Sequence, residues 1–476
     1  MLRTAAQFRQ GLRDDRRVIY KGERVSDVTA EPEFATAIGH SSICYEISDM
    51  EEYADLAVDI EGGEKFSAYF TVPRSRADLE RRGRLIEATS RLGSTVIVLK
   101  EVGTDGLFAL LRTCVGEGLE HAQAFYEHCR RDDVALAVAQ TDVKGNRALA
   151  PHQQEDPDLY IHVVDDDADT ITVRGAKVHT SFSANADELI VLPTRAMDEA
   201  SAEYAISFSV PVDTPGLTLY VSPYSAGDAE RNPFEFPISS RHKLLESLTV
   251  FDNVVVPKEN VFLLREARRA GELAIAFVDY HRFTAVCYKL PLLDAIVGAA
   301  MEIAEMNGIA RAGHVRDKLA HLVSYAETVR ALRDLAAVRA FEGEGGVWLP
   351  DPMTVNIAKY AFAHGFHEAT ARLIDLAGGL LVTGPGQGDW DNPDVRPVLE
   401  KYFASASPAE PRLRMLNLIG DMTARDFGGY QSVLAAHAEG SLEAEKQMIL
   451  RSYDPERARS YAKRLSGTRH LPDSLW

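Results

Sequence analysis

Cysteine is scarce in this chain: four occur among 476 residues, Cys44, Cys114, Cys129 and Cys287, and no two stand at CxxC spacing. That argues against a disulfide framework or a zinc site and fits a reducing compartment. Basic residues are also in short supply, with 52 Lys and Arg against 71 Asp and Glu, for a formal net charge of -19. A surface of that sign repels nucleic acid and anionic membranes, so neither is expected as a partner. No apolar run reaches the roughly 18 residues a membrane span needs, and no basic start leads into an apolar stretch. A cytoplasmic protein is the expectation. Internal repeats and low-complexity tracts are lacking as well.

What is present is the composition of an ordinary globular protein, 46% hydrophobic and 26% charged, long enough for two or three domains. Thr4 and Gln7 have capping-box spacing and predict a short helix through Phe8 and Leu12. Residues 18–25, VIYKGERV, read as a small hairpin. Signals from 51 to 131 are mostly helical, with Leu107, Leu110, Leu111 and Cys114 at steps of three and four. From about 139 the period shifts to two, in ELIVLPT, YAISFSV and GLTLYVS, and strands are expected. After Val261 the helical period returns: Val315, Leu319, Leu322, Ala326 and Val329 lie on one face. A following helix through Ile357, Tyr360, Ile374 and Leu376 is expected to stop at Gly378 and Gly379. The expected domains are 1–138, mainly α; 139–265, β; and 266–476, a helix bundle.

Residues 134–194 are the stretch around which the rest is organised. Gln140, Thr141, Asp142, Lys144, Asn146 and Arg147 crowd one loop punctuated by Gly145, which suits a backbone that approaches a polar ligand closely. A hairpin is expected around Asp165–Asp169, with Tyr160, His162 and Val164 on one face before it and Ile171 and Val173 on one face after it. The acidic turn lacks the downstream Glu of a calcium loop and reads as solvated. GPGQG at 384–388 follows a helix stop rather than a strand, so it reads as a turn, not a dinucleotide loop. His364, His367 and Glu368 share a helix face and are read as ordinary surface or core residues, with no metal assigned.

QTDVKGNR (140–147) and RGAKVHTSFS (174–183) resemble the flavin-dependent 4-hydroxyphenylacetate 3-monooxygenase family, which also contains 4-hydroxybutyryl-CoA dehydratase, a flavin and iron-sulfur enzyme. Four further segments match in the same order: RRVIYKGERV (16–25), the 234–262 run ending in VFDNVVVPKENVF, WDNPDVRPVLEKYFAS (390–405) and DFGGYQSVLAAHAEGS (426–441). The resemblance implies an α+β, acyl-CoA dehydrogenase-like fold: an N-terminal α-helical domain, a middle antiparallel β-barrel and a C-terminal helix bundle. It also implies FAD, bound through Gln140, Lys144, Gly145, Asn146, Arg147 and Ser181, and through His437, Glu439, Gly440 and Ser441. Lys144 or Arg147 suits a pyrophosphate, and hydroxyls at Thr141, Thr180 or Ser181 suit the edge of the flavin ring.

The family's substrate groups do not carry over intact. Where phenol hydroxylases place an Arg and a Tyr, this sequence has Val102 and Gly106, and Val138 stands for their His. Each lost charge-assisted bond to a phenolate costs about 1–3 kcal/mol, so a simple phenol acid is not the expected substrate. The dehydratase's cluster cysteines align near Ile97, Glu101 and Tyr288, leaving His281 as the matching ligand, with Cys287 one position off. Its proton-moving Tyr and Glu align with Ala285 and Val433. His281 is the candidate catalytic residue, because an imidazole titrates near neutrality; Pro193 and Thr194 fall at substrate contacts.

The resemblance therefore implies the oxygenase component of a two-component monooxygenase. It would take FADH2 from a separate flavin reductase, use O2 through a C4a-hydroperoxyflavin, and oxidise an aromatic or heteroaromatic small molecule, as a homotetramer or homodimer. The alternatives are a redox-neutral or dehydrogenating flavoenzyme acting on an acyl-CoA-type substrate without an iron-sulfur cluster, and a non-catalytic flavin-binding protein.

Overall fold

The computed structural model describes residues 2–223, 227 and 230–468. The chain opens with α1 (Ala5–Gly11), whose Thr4 hydroxyl accepts from Gln7 N while Gln7 returns a bond to the Thr4 backbone, the capping box its spacing predicts. The hairpin β1 (Val18–Tyr20) and β2 (Glu23–Val25) turns at Lys21 and Gly22, both at positive φ. Next come α2 (Pro32–Glu46) and α3 (Ala54–Ala57). A second hairpin, β3 (Val58–Glu61) and β4 (Glu64–Ser67), interrupts the expected helical run, and α4 (Arg76–Leu92), α5 (Leu99–Thr113) and α6 (Gly116–Asp132) complete it.

The strand region contains β5 (Leu136–Ala139), β6 (His162–Asp166), β7 (Thr170–Ser181), β8 (Glu188–Val191), β9 (Ile206–Pro211), β10 (Leu217–Val221), β11 (Glu246–Pro257) and β12 (Val261–Leu264). Among the described residues no sheet closes into a barrel, which corrects the expected β-barrel. Instead a six-stranded sheet runs β2-β1-β10-β11-β7-β6 and a four-stranded sheet runs β12-β9-β8-β5. Pairing is mostly antiparallel, but β1 lies parallel to β10 and β5 parallel to β8. The large sheet takes two of its strands from residues before 139, and those strands form its far edge.

The edges stay open for local reasons. On β6 the register slips between Val163 and Asp165, and the strand runs into an acidic turn where Asp166 pairs with Lys258 and Arg265. A bulge and charges block further pairing. That slip also alters the predicted face: Val163 is buried and Val164 is 39% exposed, whereas Ile171 and Val173 are buried as expected.

After β12 comes α7 (Ala267–Met306), followed by α8 (Gly313–Val338) and, past the short β13 (Phe341–Glu342) and β14 (Trp348–Leu349), α9 (Pro352–Ala377). Helix α7 is long and apolar enough to cross a membrane by composition, but 78% of its apolar window is buried by the rest of the chain. It is the core helix, with α4, α5, α8 and α9 packed around it. Val315, Leu322, Ala326 and Val329 form the buried stripe of α8, and Gly378 at φ 77° ends α9 as predicted. Short helices α10 (Leu380–Thr383), α11 (Gln387–Asp391) and α12 (Arg396–Phe403) lead to α13 (Ala409–Thr423), α14 (Asp426–His437), α15 (Leu442–Ser452) and α16 (Glu456–Leu465). GPGQG is the turn into α11, and His364, His367 and Glu368 are exposed on α9.

Candidate active site

The polar loop is anchored by a buried ion pair that its sequence did not advertise. Lys177 on β7 pairs with Asp142 at 2.8 Å, each side chain 2% exposed, and donates to the carbonyls of Gln140 and Leu192 at 2.9 Å. Thr194 donates to the Gln140 carbonyl at 2.8 Å and accepts from Asp142 N at 2.8 Å. Thr194 thus clamps the loop to the end of β8, and Pro193 beside it is buried. The carbonyl of Thr141 accepts from Val178 N at 2.8 Å. With the base of the loop fixed, the tip turns through Lys144 and Gly145, at φ 74° and 47°.

Lys144 is half-buried at that tip, and Arg147 of the same loop and Arg195, past β8, are both exposed. Burial lowers the Lys144 ammonium, and the nearby Arg147 and Arg195 lower it further, with Asp142 opposing. Among the described residues no carboxylate lies within ion-pair distance of Lys144, Arg147 or Arg195. Asp142 is committed to Lys177. Like charges held near one another make a positive field that attracts an anion. Arg195 escaped the sequence reading because it lies 48 residues from Arg147 in the chain. Nearby on β7, the buried Thr180 Oγ1 has no hydrogen-bond partner, and Ser181 donates to Glu246 on β11 at 2.9 Å. Tyr430 on α14 donates to the same carboxylate at 2.7 Å, and burial raises Glu246 above its usual range.

A second polar centre lies where α5 meets α7. Asp105, fully buried, takes Arg82 of α4 at 2.7 Å, Thr284 at 2.9 Å and His281 Nδ1 at 3.1 Å. His281 stacks on Phe277 with ring centroids 5.0 Å apart. With Nδ1–H held by Asp105, Nε2 is the free lone-pair atom, the tautomer a general base requires.

Two turns beyond His281 on α7, Tyr288 donates to Glu439, and Lys289 pairs with it at 2.5 Å. Lys359 of α9 lies 3.7 Å from Glu439 and 3.2 Å from Glu445. Burial opposes ionisation of Glu439, but Lys289 and Lys359 win and hold it at about 2. Its neighbour Gly440, at φ 109°, lies against Arg282, which donates to the Glu439 carbonyl at 2.9 Å. Glu439 therefore turns its carboxylate into the bundle. His437 and Ser441 are exposed, and Ser441 caps α15 through Ala444 N. Among the described residues no hydrogen bond or ion pair joins this segment to the 140–147 loop. Asn146 and Gly145 are exposed at the loop tip, with Asn146 bonded to Gln154.

The residues that replace the family's phenol-binding groups do meet in space. A Cβ on Gly106 would stand 3.0 Å from Val138 Cγ2 and 3.3 Å from Ile190 Cδ1, and Val102 packs on the same apolar cluster. At Gly103 a Cβ would come within 2.3 Å of Leu136 Cβ. Strand β5 has closed onto α5, so a side chain at 106 would have to push Val138 and Ile190 aside by a few tenths of an ångström. Val433, aligned with a dehydratase Glu, is 60% exposed. The carboxylate beside Tyr288 is Glu439 instead. All four cysteines are free and buried, and among the described residues no three His, Cys, Asp or Glu side chains cluster to hold a metal ion.

Comparison with known proteins matches this arrangement to one family across nearly the whole chain. Residues 4–263 match the 4-hydroxyphenylacetate 3-hydroxylase N terminal and residues 270–467 its C terminal. The 4-hydroxybutyryl-CoA dehydratase/vinylacetyl-CoA-Delta-isomerase of Clostridium aminobutyricum is 30% identical, over 98% of this chain and 100% of that protein. A crystal structure of the oxygenase component of 4-hydroxyphenylacetate 3-monooxygenase, complexed with FAD and 4-hydroxyphenylacetate, superposes with TM-score 0.90 at 28% identity, covering 98% of this chain and 99% of that one. Butyryl-CoA dehydrogenase from Megasphaera elsdenii shares the fold alone, at 16% identity and TM-score 0.51 over 88% of each chain. The chain belongs to the 4-hydroxyphenylacetate 3-hydroxylase family.

Proposed function

We propose that this chain is the oxygenase component of a two-component flavin monooxygenase. It takes FADH2 from a separate reductase, uses O2, and oxidises an aromatic or heteroaromatic small molecule. The observation that carries the reading is the half-buried Lys144 with Arg147 on a loop stapled at its base through Asp142 and Lys177, with Arg195 near it, and a buried hydroxyl at Thr180 on β7 that lacks a partner. That donor set fits a dinucleotide: the cations neutralise a pyrophosphate, while Thr180 and the Gln140 amide suit the polar edge of a flavin ring. Reduced FAD, when bound, supplies the two electrons that activate O2.

The chain's own residues have three tasks. Val102, Val138 and Ile190 form a dry apolar wall that excludes water from the reacting groups. Asp105 fixes the His281 ring, whose free Nε2 can take a proton from, or return one to, a substrate oxygen. Arg82, paired with Asp105 at 2.7 Å, helps hold that carboxylate in place against the ring. In this reading the protein works in the cytoplasm as a homotetramer or homodimer, which gives α16, with no buried residue, a surface to pack on.

The 30% identity to a dehydratase and the His281–Asp105 contact favour a second reading, acid–base or dehydrogenating flavin chemistry on an acyl-CoA-type substrate. It would have to proceed without that enzyme's cluster, since Ile97, Glu101 and Tyr288 cannot replace thiolates as ligands. Anaerobic loading with FADH2 followed by rapid mixing with oxygenated buffer separates the two. A long-lived absorbing species distinct from reduced and oxidised flavin supports the oxygenase. Oxidation at the rate of free FADH2, together with tight binding of oxidised FAD, refutes it and moves the second reading ahead.

A further inference from the structure

The pair of Lys177 and Asp142 has more connections than an anchor for one loop needs. An ion pair with both side chains 2% exposed is weak evidence for stability, because well-packed apolar residues often do as well. Its bonds are the informative part. Asp142 Oδ1 takes Lys177 at 2.8 Å and accepts from Ile161 N at 3.1 Å, while Asp142 N donates to Thr194 Oγ1 at 2.8 Å. Lys177 Nζ donates to the carbonyls of Gln140 and Leu192, both at 2.9 Å. Asp142 and Lys177 also face each other as an isolated β-bridge.

Those contacts gather the ends of three strands against a fourth. β5 and β8 run parallel with Ala139 opposite Val191, and Leu192 N gives a last bond to the Ala139 carbonyl at 3.1 Å. Beyond it the two strands part. Gln140 opens the long loop that ends at Ile161, just ahead of β6, and Leu192 opens the loop that carries Arg195 on to β9. The three-donor ammonium comes from β7, in the other sheet, and bonds to both carbonyls, so it fixes where both loops begin. Through Ile161 N the same carboxylate closes the first loop, and a loop that long takes no single position until it is pinned. The link between the two sheets therefore sets Gln140, Lys144 and Arg147 in place relative to Thr194 and Arg195.

We propose that Lys177 is a positioning residue of the flavin site: its bonds to Asp142, Gln140 and Leu192 hold the 140–147 loop and the 192–195 segment in the one arrangement that receives FAD. This rests on the flavin reading of the site. Lys177 acts through those two carbonyls and through Asp142 on the residues that meet the ligand. A shift of about 1 Å in such residues is enough to cost a factor of ten to a hundred.

The test replaces the pair with apolar residues, Lys177→Met and Asp142→Leu in one chain, and compares melting curves and FAD titrations followed by flavin fluorescence with those of the parent. The double variant should melt within about 5 °C of the parent, yet bind FAD about tenfold more weakly or worse. Affinity measured well below both melting temperatures is the readout that a merely stabilising pair leaves unchanged. A folded double variant that binds FAD within about twofold of the parent overturns the proposal and leaves the pair as a structural contact. Should the double variant not fold, the nearly isosteric Asp142→Asn decides: it should weaken FAD binding by about threefold or more, and unchanged affinity overturns the proposal. A parent chain that takes up no FAD refutes the flavin reading and this role with it, whereas equal binding by parent and variants refutes the role of Lys177 alone.

Discussion

Replacing Glu439 with glutamine removes one negative charge from between two buried lysines. Lys289 is 4% and Lys359 0% exposed at the side chain, and Lys359 keeps Glu445 at 3.2 Å, so Lys289 is the cation left without a counter-ion. Breaking a buried pair from one side costs about 3–5 kcal/mol. The displacement of Glu439 from 4.5 to about 2 corresponds to roughly 3 kcal/mol at 1.36 kcal/mol per unit, which agrees. Burial pulls Lys289 the other way, down to about 8 despite Glu439. The net contribution of the intact pair is therefore smaller than the cost of breaking it.

Unfolding entropy for a cooperative chain of this length is ~1 kcal/mol/K, so Glu439→Gln should lower Tm by about 3–5 °C. Adding Lys289→Met to the same chain removes the stranded cation and should recover at least about half of the loss. The pH dependence has a definite sign. A carboxylate held below its ordinary value stabilises the fold above pH 4.5, and that stability is lost as pH falls towards about 2. Glu439→Gln should flatten this part of the acid profile. Thermal melts of the parent, both single variants and the double variant close the cycle. Additive losses, within about 0.5 kcal/mol, would sink the idea that these charges act as a unit.

Three more outcomes follow from particular contacts. Gly103→Ala forces a Cβ to within 2.3 Å of Leu136 Cβ and 2.7 Å of its carbonyl oxygen, and should destabilise the fold by about 1–3 kcal/mol in denaturant titration. Lys144→Gln and Arg147→Gln should each weaken FAD binding by about tenfold or more, with a smaller salt dependence than the parent, as read by flavin fluorescence; unchanged binding in both removes the loop from the flavin site. His40 and His242 touch at 3.2 Å between their Nδ1 atoms, and burial lowers them to about 3 and about 4. The unfolded chain takes up these protons first, so stability falls as pH drops below the ordinary 6.5. His242→Gln should move the acid-unfolding midpoint to lower pH, and a midpoint that stays put would show the contact does not govern acid sensitivity.

Local pattern exposed a good part of the site. The Gln140–Arg147 loop stood out because six polar groups and a glycine crowd a short span, and a chain fixed at both ends brings such groups together wherever the rest of it goes. His281 stood out by its alignment, but its partner did not. Asp105 is 176 residues away, and nothing in the local pattern of either helix says that α5 and α7 cross there. Arg195, Lys177 and Glu246 were missed for the same reason: each is a charged residue in or beside a strand whose meaning comes from a neighbour on another element. The barrel was implied by the family resemblance, and the period-two alternation could not test it, because alternation reports strands and faces whereas closure depends on edges. Here the edges carry a bulge, charges and a strand recruited from residue 23.

The sequence by itself determined the periodicities, the helix caps, the capping box at Thr4, the stop at Gly378 and the crowding of polar groups between 140 and 147, since each depends on residues a few positions apart. It also determined that the dehydratase's thiolates are missing, because identity at a position needs no geometry. Only the tertiary structure decided which charges meet. It turned Glu439 inward between two lysines and gathered Arg195 with Lys144 and Arg147. It also closed β5 over Gly106. Those outcomes follow from packing elements distant in the chain around one helix, α7, and the energy of a buried charge or donor is fixed by what packing sets beside it.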